Sequence, residues 1–308
     1  MKKYVAAIVS VVLLISLALT GCASMAVSAT PETNSYSFKE SISEIDIDTS
    51  AYDVVLCPSE SGICEVVCRE TEQERHSVKV QGSTLRIQRR EKNRIRPLSF
   101  NNIRLEITVY LPQRDYQALT VKTSSGSIDI AEGFKFESAA VSSSSGSIRF
   151  CADVAESLTA TASSGKVYLN NLSAGGLALT TSSGGIVMEE VSSDKAALTC
   201  SSGDIRISGF RAADSLAVGT SSGGVQMTDV QAKRSLAVSC TSGDITLEDC
   251  DAGEIRIKAT SGDVWCTLLS GKRFQTETGS GKVTVPEDTS SDICEIKTTS
   301  GDIQVTVK

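Results

Sequence analysis

The chain has 308 residues, a formal net charge of −7 and only 5% aromatic residues. A mildly acidic balance without a basic stripe argues against nucleic acid as the main partner, and so few aromatics argue against one thick globular core. The single histidine, His76, lies in the polar stretch TEQERHSV and is expected to be a solvated loop residue, which leaves almost no material for histidine-based catalysis.

The first residues form a processing signal. Lys2 and Lys3 precede an apolar run from Val5 to Leu19 that ends in Leu19-Thr20-Gly21-Cys22. This ending resembles the lipobox of bacterial lipoproteins, which implies cleavage after residue 21, lipidation of Cys22 and a membrane anchor facing outside the cytoplasm. Removing two lysines and no acid takes the mature charge to −9. Residues 22–36, rich in Ser, Thr, Ala and Pro, read as a flexible tether.

Residues 37–117 alternate with the period of strands. The segment IDIDTSAYDVVL (Ile45–Leu56) has the form of a degenerate first coil, and the strand patterns after it are expected to cap the array. Among them lies a basic loop with Arg86, Arg89, Arg90, Lys92, Arg94 and Arg96, a candidate contact for anionic lipid headgroups or wall polymers, or else a solvated hairpin tip.

Residues 118–308 hold the dominant signal. Ten copies of T-S-S-G-x-I-x-I, from TSSGSIDI (Thr123–Ile130) to TTSGDIQV, place their glycines 19 or 20 residues apart. With each glycine taken as position zero, apolar or small residues recur at −7, −5 and −3 (Leu216, Val218, Thr220) and at +2 and +4 (Ile205, Ile207). A further apolar residue often falls at +7 (Leu172, Val191, Phe210, Val230, Cys250, Leu269). Two period-two runs separated by a bend mean two short strands per repeat. A fixed period of this length means stacked coils that bury a continuous core only together. The fold class is therefore all-β, a parallel β-solenoid of about ten coils, preferred over an antiparallel meander because the repeats share length and phase. The serine at −1, present in every copy, is expected to continue the inward side and turn the corner with the glycine. The segment DIQVTVK stands after the last glycine, so an open end and weak self-association are expected.

The opening segment, the VYLP before the array (Val109–Pro112) and the repeat units together resemble the bacterial "putative adhesin" family, a domain of unknown function found in secreted and membrane-anchored envelope proteins. The resemblance covers roughly residues 45–308. It implies a right-handed parallel β-helix and surface association, and it brings no catalytic residues.

Acids stand at +1 in some repeats (Asp204, Asp244, Asp263, Asp302), and Asp244 and Asp263 would lie in adjacent layers, a separation that suits the carboxylate pair of a carbohydrate-active β-helix enzyme or a calcium site. Other repeats carry Ser, Lys or Gly at that position, so a turn-exit role is favoured. No zinc, calcium or other cofactor motif is present, and Cys57, Cys64 and Cys68 are close enough in sequence for a local disulfide. The candidate binding face is the outward side of the first strand: Thr159, Thr161, Ala178, Thr180, Ala197, Thr199, Ala217 and Ala237, small and uncharged. The residues favour a non-enzymatic, lipid-tethered surface module that binds a glycan, a wall polymer or a surface protein, adhesin-like or envelope-stress-sensing. A carbohydrate-active enzyme and a passive spacer are the alternatives.

Overall fold

Alternation of apolar and polar residues at period two gives strands with one buried face, and the chain is built from them throughout. The structure, a computed structural model, describes residues 31–71, 74–90, 105–287 and 290–308. These belong to one compact unit. The first strands are β1 (Glu32–Phe38), β2 (Glu44–Asp48), β3 (Asp53–Pro58), β4 (Cys64–Glu70), β5 (His76–Gln81), β6 (Thr84–Arg89) and β7 (Glu106–Leu111). The array follows as β8 (Asp115–Thr123), β9 (Ile128–Ile130), β10 (Lys135–Ser143), β11 (Ile148–Phe150), β12 (Asp153–Ala162), β13 (Val167–Thr181) and β14 (Ile186–Cys200). It continues as β15 (Ile205–Thr220), β16 (Val225–Ser242), β17 (Ile245–Ser261) and β18 (Val264–Leu268). The last strands are β19 (Arg273–Ser280), β20 (Val283–Thr284), β21 (Ile293–Ser300) and β22 (Ile303–Val307).

Equivalent residues of successive repeats pair in parallel, as in Leu177↔Ala196, Ala196↔Leu216 and Leu216↔Leu236. The fold is a parallel β-solenoid. Its inward rows are those the repeat pattern marks, and Ile186, Met188, Leu216, Ile255 and Ile257 are all buried. From β13 to β17 one strand runs through two sides of the coil. The corner between them is a left-handed residue at +6: Asn171, Glu190, Gly209, Asp229 and Asp249, with φ of 50°, 51°, 63°, 53° and 56°. Asn, Asp and Gly tolerate this conformation best. The +7 residue then turns inward, except that Leu268 rather than Leu269 fills the row above Cys250, and Leu269 is exposed.

The corner at the repeat glycine differs from expectation. The serines at −1 and −2 are both exposed, as at Ser182-Ser183 and Ser201-Ser202. The inward residue is the one at −3. Ser143 Oγ donates to the Gly126 carbonyl at 2.9 Å and accepts from the Gly146 amide at 2.9 Å. Thr220 and Cys200 repeat the pattern. The two outward serines stack through backbone alone, with Ser183 N donating to Ser163 O at 2.8 Å. Gly146, Gly165 and Gly184 each lie so close to the glycine one layer below that a Cβ would overlap its carbonyl oxygen. The parity therefore changes across two outward residues, because the glycine itself must press inward onto its neighbour.

Both ends depart from sequence order. β17 pairs with β21, and β21 pairs with β19 on its other side. The last repeat is therefore inserted under the one before it, and β19–β20 form the outer layer, not DIQVTVK. The inserted coil is the better filled: Cys294, Ile296, Ile303 and Val305 are buried, while Phe274, Thr276 and Thr278 of β19 stay half-buried. At the other end, the first coil (β2 and β3) pairs with β8 and β9 on one side and with β6 and β7 on the other. Antiparallel strands then close that layer: β5 on β6, β4 on β7 and β1 on β4.

His76 sits in this closure and is not solvated; it is 1% exposed. In the first coil Tyr52 takes the glycine position, since the Gly126 column ends on its carbonyl. Thr49 is the −3 residue there. With no glycine layer beyond, its hydroxyl meets His76 Nε2 at 2.8 Å. His76 Nδ1 and its backbone amide both reach Glu70 Oε2, at 3.1 and 2.8 Å, and Asn34 donates to Glu70 Oε1 at 2.9 Å. The Tyr52 ring stands edge-on to the imidazole, centroids 4.4 Å apart, and its hydroxyl donates to Glu74 O at 2.5 Å. A neutral imidazole donating from Nδ1 and accepting at Nε2 satisfies every contact. The sequence hides this network because its members come from four separate strands and turns.

Gly184→Ala should cost about 3 kcal/mol or more in urea unfolding, because backbone cannot retreat, while Ser182→Ala at the same corner should stay within about 0.5 kcal/mol. Equal effects would contradict the close approach. Burial lowers the His76 pKa below 6.5, opposed by the hydrogen bond to Glu70 and by Glu74, with Arg89 adding to the lowering. Its stabilisation is present above the ordinary imidazole pKa and is lost as the pH falls, because the unfolded chain takes up the proton first. The melting temperature should drop between about pH 7.5 and 5.5, where an imidazole titrates. In His76→Gln it should start lower and stay flat, and a flat wild-type profile would contradict the buried network.

Candidate functional site

Strand alternation places the −6, −4 and −2 side chains on the outside of the first side of the coil. Thr159, Ala178, Ala197, Ala217 and Ala237 form one row and pair in register. Thr161, Thr180, Thr199, Gly219 and Ser239 form the next, and the outward serines at −2 the third. All are exposed except the half-buried Gly219. Ala140, Ser142 and Ser144 extend the rows by one layer that the sequence pattern did not include. Within these rows no ionisable side chain interrupts the face from Ala140 to Thr241.

Charge resumes abruptly at the next layer. Arg256 stands beside Ala237 and Lys258 beside Ser239, followed by Glu295 and Lys297. Apart from Lys258 these groups are ion-paired: Arg256 with Glu254 and Glu295, and Lys297 with Glu295 at 3.0 Å and Glu277 at 3.7 Å. The hydrogen bond from Lys297 holds the Glu295 carboxyl below its usual range. The flat face thus ends in a neutralised rim.

The acids at +1 have a structural task. Asp204 Oδ1 accepts the Gly224 amide at 3.1 Å, Asp244 the Asp263 amide at 2.9 Å, Asp263 the Asp302 amide at 2.8 Å and Asp302 the Lys282 amide at 2.7 Å. Each carboxylate caps the backbone N–H of the adjacent layer where the corner lifts it from the regular ladder. Asp53 does the same for Ser127 at 2.8 Å. These bonds also follow the inserted layer order, from Asp263 through Asp302 to Lys282.

Of the basic loop, Arg86, Arg89 and Arg90 are exposed near β6, and Arg86 lies 3.7 Å from Asp46. Lys92, Arg94 and Arg96 lie outside the described residues, as does Cys22. Cys57, Cys64 and Cys68 are free thiols rather than a disulfide. Cys64 and Cys68 are two turns of the pleat apart on the buried face of β4, and burial pushes both thiols up to about 12. Among the described residues no group of three or more His, Cys, Asp or Glu could hold a metal ion.

Several solved structures align over most of the chain. A "putative lipid binding protein" from Parabacteroides distasonis covers 90% of this chain and 97% of its own at 18% identity and a TM-score of 0.46. A "putative adhesin" from Bacteroides fragilis covers 89% and 97% at 14% identity and a TM-score of 0.43. A "putative adhesin" from Parabacteroides distasonis covers 90% and 98% at 13% identity and a TM-score of 0.40. No curated protein matches. The Toastrack DUF4097 family model matches residues 42–228 and 209–308, from the first coil through the inserted last repeat, and the chain belongs to the Toastrack DUF4097 family.

Proposed function

We propose that the protein is a non-enzymatic, adhesin-like binding module, exported and held at the cell membrane by lipid on Cys22. The observation that supports binding is the face of small side chains from Ala140 to Thr241, exposed except at the half-buried Ser142 and Gly219 and without charge across the layers of Gly146 to Gly243. Its rows repeat at about 4.8 Å along the stack, so it can meet a flat or periodic partner with little side-chain entropy to lose. The partner is a surface macromolecule: a glycan, a wall polymer or another protein. The pinned +1 carboxylates favour this over catalysis, because they are engaged by backbone amides.

Two experiments test the reading. The double variant Ala197→Arg with Ala217→Arg should weaken binding of the chain to intact cells and isolated envelope polymers by at least about tenfold, or about 1.4 kcal/mol, without altering the melting temperature. Unchanged binding would leave the face passive. Separately, Cys22→Ala should abolish palmitate incorporation and move the protein from the membrane fraction to the soluble one; retained labelling would rule out this anchor.

A further inference from the structure

The coil changes its path at the layer of Gly165. In the layers of Gly126 and Gly146 the second side is short: β9 and β11 have three residues each, and the chain returns to the first side almost at once. From Gly165 onward it runs on through the left-handed Asn171 to a third inward contact at Leu172 and Ala174. The two paths do not match. The pairing slips between Phe136 and Ser138 opposite β12, and again between Val154 and Ser157 opposite β13. The mismatch opens a groove of about 650 Å³ on that flank.

Part of the groove's lining is fixed by packing and hydrogen bonds. Its floor is Phe134, 3% exposed and packed edge-on to Tyr116 with centroids 6.4 Å apart. Arg114 is fixed by a hydrogen bond to the Ile42 carbonyl and lies 5.3 Å from the Tyr116 ring centroid. Asp153 Oδ1 accepts from the Ser173 amide and hydroxyl at 2.7 and 2.9 Å. Gln113 rests over Gly133, whose φ is +89° and where a Cβ would overlap the Gln113 amide.

The walls carry more hydrogen-bonding capacity than the protein uses. Asp115, Glu132 and Lys135 line the groove, yet among the described residues none of them makes a side-chain hydrogen bond or ion pair. With Arg114 and Asp153 the lining holds three carboxylates and two cations, and Gln113 and Asn171 add two amides. Three carboxylates repel an anionic ligand, and two cations repel a metal ion. A neutral polyhydroxyl ligand suits both: each hydroxyl donates to a carboxylate and accepts from an amide, guanidinium or ammonium. The volume lies within the range of about 300–1,000 Å³ usual for small-molecule sites.

We propose that this groove binds a short neutral oligosaccharide, at a site separate from the flat face and independent of what that face binds. The test is the full chain on an array of neutral oligosaccharides of two to four sugars beside their uronic-acid counterparts, followed by calorimetric titration of the sugar retained most strongly. The wild type should retain neutral sugars in preference to acidic ones. Asp115→Asn with Glu132→Gln, both exposed and free of internal partners, should weaken that binding at least tenfold with an unchanged melting curve. Gly133→Ala should weaken it by displacing Gln113. The flat-face variant Ala197→Arg should leave it unchanged. Retention of no sugar, preference for acidic sugars, binding unaffected by the groove variants, or loss with Ala197→Arg alone would each overturn the proposal.

Discussion

The contact on which the rest of the structure depends is glycine backbone against glycine backbone. At each repeat corner the chain presses so close to the layer below that only a hydrogen atom fits between them. This closeness sets the register of the stacked coils, because a coil shifted by one residue would bring a side chain into the column. It also strands polar backbone groups at the bend. The −3 hydroxyl or thiol satisfies some from inside, and the +1 carboxylate satisfies the adjacent amide from outside. Serines at −1 and −2 remain to face solvent.

A column of this kind has no natural end, and each end solves that differently. At the amino-terminal side Tyr52 replaces glycine, and the vacated geometry is filled by the His76, Glu70 and Asn34 network beneath antiparallel strands. At the other side the best-filled coil slides one layer inward and leaves the weaker one outside. Burial favours that order at these positions: Ile296 and Ile303 stand opposite Thr276 and Val283, and the larger isoleucines gain more from a covered position.

Regularity and irregularity also divide the surface. Where the repeats are most alike, the outward side chains shrink to Ala, Ser and Thr and form a continuous uncharged face. Where the path of the coil changes, a groove lined from Gln113 to Asn171 opens, and its Asp115, Glu132 and Lys135 make no side-chain hydrogen bond or ion pair among the described residues. The same chain thus offers a broad periodic surface and one confined polar site, and neither draws on the carboxylates that hold the corners.

The sequence by itself determined the repeat, its period, the inward rows and the exposed small-residue face, because stacking makes burial a simple function of position in a repeat. That the Cys200 and Cys240 thiols take the place of a corner hydroxyl is visible only in the structure. The sequence misplaced the serine at −1, since parity alone cannot reveal that two outward residues separate −3 from an inward glycine. It misplaced His76, whose partners Thr49 and Glu70 lie on other strands, so the polarity of the local stretch looked like solvent exposure. Only the tertiary structure decided the order of layers at the two ends and the groove between mismatched coils. The first turns on which coil packs against β17, and the second on register slips between neighbouring coils, relations between segments distant in the chain that no local pattern contains.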